Sequence, residues 1–320
     1  MTSRGSLGAA LLATLSHPRW WLLALAGFLV RGGVIVVLLP IVAPPTVAGL
    51  MSFLAPTVVG EAITGGSSAP VAVVALGTAV VVTAFLWVAG WLGTWFDAEL
   101  ALEASADEDL ASPAARPASI PAGLGMARLG PHLLTGVAFV FAATRIAAIA
   151  YREATSPGVA TTPFVVRVVQ GAPEAVVVLG IAWLLAEAAG GLALRDLLLR
   201  GRETVRPARW SIVRGIRDLL TRRGIATLVL VDVGVIVVAA PGWLAAGHAW
   251  DQLRVLLDGG AEVRDLAIGL GLFVGVTFGG AVLLAVALAW RATAWTTIFG
   301  AGDRHAAPVH GVGGVTVGPE

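Results

Sequence analysis

The chain has 320 residues, of which 57% are hydrophobic and 13% charged, with a formal net charge of +1. A soluble domain carries roughly 25% charged residues, so the composition argues against a water-soluble fold, and no global field points to nucleic acid. Cysteine and lysine are both absent, which excludes disulfides, thiolate metal sites, iron–sulfur clusters, thiol catalysis and a Schiff-base lysine.

Apolar runs of about 20 residues recur between polar connections, the pattern of membrane-crossing helices. A membrane barrel would show segments of about 10 residues alternating at period two, and none is present. The expected fold is an all-α integral membrane protein with six transmembrane helices in a single domain over 1–300. At the N-terminal end, Leu7, Leu11, Leu12 and Leu15 fall on one helical face. This run is short and lacks a small-residue cleavage site, so it reads as an interfacial amphipathic helix.

The six helices are expected at 20–39, 71–96, 133–151, 173–194, 225–246 and 266–290, with Trp20 and Trp21 as interfacial anchors. Between the second and third, 97–132 begins as an acidic helical continuation from Asp97 through Asp109. It then turns into the Pro/Ala-rich linker SPAARPASIPAG. The stretch 163–194 is nearly all apolar yet carries Arg167, Gln170, Pro173, Glu174 and Glu187. As one helix it would run about 48 Å, against an apolar core of about 30 Å. Two readings follow: a break inside the membrane near Gly171 and Pro173, or an outer surface helix followed by a membrane helix from Pro173. Proline at the first helical position and glutamate in the first turn are ordinary start signals, which favours the second.

The connection 195–223 holds nine arginines, so this side is cytoplasmic by the positive-inside rule and the topology is N-in/C-in. Within it Ile212, Val213, Ile216, Leu219 and Leu220 line one face, with Trp210 ahead of them. Arg209, Arg214, Arg217, Arg222 and Arg223 surround that face as lipid headgroup contacts, so membrane lipids are the expected partners, with two readings: a membrane anchor without lipid specificity, which is favoured, or contact with anionic lipid. The tail 301–320 is Gly-rich and unsuited to fold alone, and its His305 and His310 are too few for a metal site.

A threefold pseudo-repeat of helical hairpins is expected at 6–96, 120–194 and 210–295. Each begins with a short cytoplasmic-side segment. Each also carries an outer apolar piece (47–59, 164–170, 249–257) followed by glycine and glutamate: Gly60-Glu61, Gly171 with Glu174, and Gly260 with Glu262.

Three charges fall inside the expected spans. Arg31 lies about 16 Å past Trp20, Glu187 about 10 Å from its helix end and Asp232 about 12 Å from Gly224. Unpaired charges at such depth cost several kcal/mol, so these three are expected to meet. Gly32, Gly33 and Gly234 would permit the approach. Arg145 is expected to pair with Glu174 at the outer rim. His17, His132 and His248 lie at helix ends, where interfacial roles are ordinary.

No phosphate-binding loop, zinc-protease or serine-hydrolase motif occurs, and no catalytic residue, cofactor or metal ligand is assigned. The expected function is a non-enzymatic structural or accessory component of a bacterial inner-membrane assembly, as a homo-oligomer or with other membrane subunits. The alternative is a transporter of a small solute, ion or lipid that uses the Arg31, Glu187, Asp232 cluster, in which two acids facing one arginine would leave a spare proton site. A third reading, lipid chemistry at the outer rim, would rest on Glu61, Glu174 and Glu262.

Overall fold

The computed structural model describes residues 7–38, 69–107, 122–155, 164–200 and 208–300. The expected outer segment at 47–59, Glu61, most of the Pro/Ala-rich linker and the tail with His305 and His310 lie outside the described residues.

All regular structure among the described residues is helical. In chain order the helices are α1 (Leu7–Ser16), α2 (Pro18–Phe28), α3 (Val34–Leu38), α4 (Ala69–Asp107), α5 (Ala122–Leu129), α6 (His132–Thr155), α7 (Phe164–Gly171), α8 (Pro173–Arg200), α9 (Ala208–Leu219), α10 (Arg222–Thr227), α11 (Gly234–Asp258) and α12 (Val263–Gly300). Four stretches are long and apolar enough to cross a membrane: His132–Ala150, Pro173–Leu199, Arg222–Asp258 and Val263–Ile298. In hydrocarbon an open chain must satisfy its backbone internally, and a helix does so within one segment.

The expected first span is not one helix. A kink within Leu29–Gly33 separates α2 from α3, where Arg31 and Gly32 leave helical geometry and Gly32 sits at φ 98°. That left-handed conformation is open to glycine at little cost, so the Gly32-Gly33 pair that suggested close packing instead lets the chain kink at Arg31. The second span and the acidic stretch are one 39-residue helix, α4, about 58 Å long at the standard rise.

The run 163–194 divides into α7 and α8 at Ala172, and Pro173 opens α8. Proline there forfeits no helical hydrogen bond. The segment at 249–257 is no separate outer piece. Helix α10, a π turn (Leu228–Val233) and α11 form one run to Asp258, through Pro241. Gly259 caps it, its N–H donating to the Val255 carbonyl at 2.9 Å, and Gly260 turns the chain at φ 65°. Helix α12 then passes Trp290, its expected end, without a breaker.

Burial is concentrated at one end of the long helices. There Trp20, Ala24, Leu100, Ala104 and Ala289 pack together, as do Ala10, Val231 and Ala294. A third group joins Ala188, Ala189, Leu192, Leu219 and Trp295. The short helices α1, α5 and α9 enter this layer, α1 packing on α12 while α5 and α9 pack on α8. Alanine dominates the layer, and small side chains let helix axes approach closely.

Toward the other end the helices pair as hairpins. Helix α6 lies on α7 and α8 through Ala142, Ile149, Val168, Ala172 and Ala175. Helix α11 lies on α12, with Gly242 against Gly280. The outward faces, including Val137, Phe139, Val140, Val237, Leu244, Leu272 and Phe278, are exposed.

Candidate functional site

The packed end layer encloses a cluster of charges. Helices α4, α8 and α12 supply Asp97, Glu187 and Arg291. Arg31 comes from the kink between α2 and α3, and Asp232 from the π turn between α10 and α11. Arg128 comes from α5 and His132 from the first residue of α6.

Glu187 is the hub, with its side chain 7% exposed. Its Oε1 accepts from Arg128 Nη2 and lies 3.4 Å from Arg31 Nη1 and 3.7 Å from Arg291 Nη1. Its Oε2 faces His132 Nε2 at 3.4 Å. Asp97 Oδ2 accepts from Arg31 Nη1 and from Arg128 Nε, the latter at 2.9 Å. Asp232 accepts from Arg291 Nε and, at 3.0 Å, from Trp295 Nε1.

Glycines set the seats. A Cβ on Gly93 would overlap the Arg31 side chain, and one on Gly190 would overlap the Arg128 carbonyl.

Arg195 of α8 is buried in the same layer without a carboxylate among the described residues. It donates to Thr296 Oγ1 at 2.9 Å, the Gly191 carbonyl at 2.9 Å and the Ala292 carbonyl at 2.8 Å. Arg31, Arg128, Arg195 and Arg291 thus face Asp97, Glu187 and Asp232, leaving one positive charge in excess. An acid with a spare proton site would need the opposite balance. Chemically the arrangement ties helices together: each carboxylate bridges at least two elements, and each accepts from an arginine. Among the described residues no three His, Asp or Glu side chains group as metal ligands.

Of the residues singled out from the sequence, Arg31 and Glu187 make direct contact. Asp232 reaches Glu187 only through Arg291. Arg145 and Glu174 face each other at the far end, with Nη2 and Nε at 2.8 and 3.1 Å from Glu174 Oε1, both side chains about half exposed. Arg209, Arg217, Arg222 and Arg223 are exposed. Arg214 lies 3.7 Å from buried Asp196. Glu262 is exposed. His17 stacks on Trp20 at 4.3 Å.

Asp97, Arg128, Arg195 and Arg291 escape a reading by depth, because each stands at the edge of an apolar run and looks like a flanking charge. The available signal is local: Arg128 in GMARLG and Arg291 in LAWRATAW are bracketed by small and apolar residues, which is poor company for a solvated cation. Comparison of the chain with protein-family models, with curated proteins and with solved structures returns no match.

Proposed function

We propose that the chain is a non-enzymatic structural or accessory subunit of a bacterial inner-membrane assembly. It would cross the membrane six times, with both termini on the arginine-rich side. One observation carries this reading: the internal carboxylates are consumed by ion pairs, while the apolar faces of the spans are left uncovered. Only 18% of the His132–Ala150 window and 17% of the Val263–Ile298 window is buried within the chain. Lipid covers part of such a surface. Faces this bare on hairpins that pack mainly within themselves also suit neighbouring subunits.

The threefold hairpin design is part of the proposal. Each hairpin would consist of a short entry helix and two arms: α1 with α2 and α4, α5 with α6 and α8, α9 with α11 and α12. Each contributes charge from both sides: Arg31 and Asp97, Arg128 and Glu187, Asp232 and Arg291. In the first, the first-arm charge lies at the kink between α2 and α3, and in the third on a π turn.

Gentle extraction followed by native mass spectrometry tests the reading. A homo-oligomer or a stoichiometric complex with other membrane subunits is expected. A monodisperse monomer that also drives solute uptake in proteoliposomes would replace it with a transporter.

A further inference from the structure

Helix α9 is seated by its small residues. Ser211, Gly215 and Leu219 are buried, and a Cβ on Gly215 would stand 2.6 Å from the Ala189 carbonyl and 2.9 Å from Ala193 N. Ile212 turns toward Gly130. This packing fixes the helix about its own axis. Its outward face therefore carries Trp210, Val213, Ile216 and Leu220, with exposures of 53, 54, 42 and 67%.

Exposed arginines flank that apolar face. Arg217 stands one turn from both Val213 and Leu220. Arg209 lies beside Trp210, its Cζ 5.9 Å from the ring centroid. Arg222 and Arg223 follow at the start of the Arg222–Asp258 span. Arg209, Arg217 and Arg222 have no carboxylate partner among the described residues. Of the acids nearby, Asp196 lies 3.7 Å from Arg214.

We infer that this outward face of α9, continued into α10, is a docking surface for anionic phospholipid headgroups. The apolar side chains enter the acyl boundary, and Arg209, Arg217 and Arg222 take the phosphates. Arginine suits the role because its planar fork matches two phosphate oxygens at once. The inference rests on membrane embedding alone and is independent of the accessory-subunit reading.

The test uses the full chain in bilayer nanodiscs of phosphatidylcholine mixed with phosphatidylglycerol. Native mass spectrometry counts the lipids of each class retained on the released protein. Wild type is expected to enrich phosphatidylglycerol, with an effect of about fivefold per arginine that falls as salt rises. R209Q/R217Q/R222Q should abolish most of that enrichment, and R217Q alone should remove a part. R254Q/R264Q, which neutralises exposed arginines at the other end of the α11–α12 hairpin, should leave it unchanged. Equal retention of the two lipids by wild type would overturn the inference. So would an unaltered enrichment in R217Q, which keeps the test alive should the triple variant not fold.

Discussion

Arg128 donates to Glu187 twice, through Nη2 to the carboxylate and through Nη1 to the main-chain carbonyl at 3.3 Å, and the two side chains are 2% and 7% exposed. A short helix is thereby fixed to a long one across 59 positions of sequence. Burial weighs against the Arg128 charge, but the Glu187 and Asp97 carboxylates outweigh it and hold its pKa above the ordinary arginine value.

Removing one member of a buried ion pair strands the other, at a cost of about 3–5 kcal/mol. Arg128→Met is expected to lower the thermal midpoint in detergent strongly, and Glu187→Leu by more, because three guanidiniums each lose one of their two carboxylates. The double variant should recover part of the loss. Thermal unfolding of the four proteins checks this. Additive losses would show that the two residues do not couple.

Arg195 is as buried as these groups but binds only neutral oxygens. Its removal leaves carbonyls and a hydroxyl, with no stranded carboxylate. Arg195→Met is therefore expected to destabilise by less than Arg128→Met, by at least about 1–2 kcal/mol. The same melting experiment decides it, and a larger loss for Arg195→Met would contradict the assigned surplus of positive charge.

Two glycines of α8 offer a matched pair. A Cβ on Gly180 meets nothing within 4 Å, whereas one on Gly190 overlaps backbone of α5. Gly180→Ala should be neutral or stabilising by up to about 1 kcal/mol, the gain in helix propensity. Gly190→Ala should cost about 1–3 kcal/mol through overpacking. Comparable melting curves for the two would mean that α5 is not seated on α8 as described.

The Arg145–Glu174 pair is close but half exposed. Exposed ion pairs contribute little, so Glu174→Gln is expected to leave the thermal midpoint nearly unchanged. A drop as large as that of Arg128→Met would place this pair in a buried contact.

Reading residues for depth finds charges far from a span's ends and passes over those beside them. Arg31, Glu187 and Asp232 stand out by their distance from any polar stretch. Asp97 and Arg195 each begin a polar connection, and Arg291 follows a tryptophan that resembles an interfacial anchor. Their burial comes from neighbours remote in sequence: α1 covers the end of α12, and α5 and α9 cover the end of α8.

Composition and periodicity by themselves point to an all-helical fold, and the described residues are helical with four stretches long and apolar enough to cross a membrane, the form in which an open chain satisfies its backbone in hydrocarbon. They also favour Pro173 as the start of α8 and show the amphipathic character of α9, since cap chemistry and helical spacing are local properties. Tertiary structure alone decided which charges meet, that Asp232 answers to Arg291, and that Arg195 is left with neutral partners. Those outcomes depend on how helices from distant parts of the chain are brought to one end. Alanine and glycine permit that approach at many registers and specify none of them.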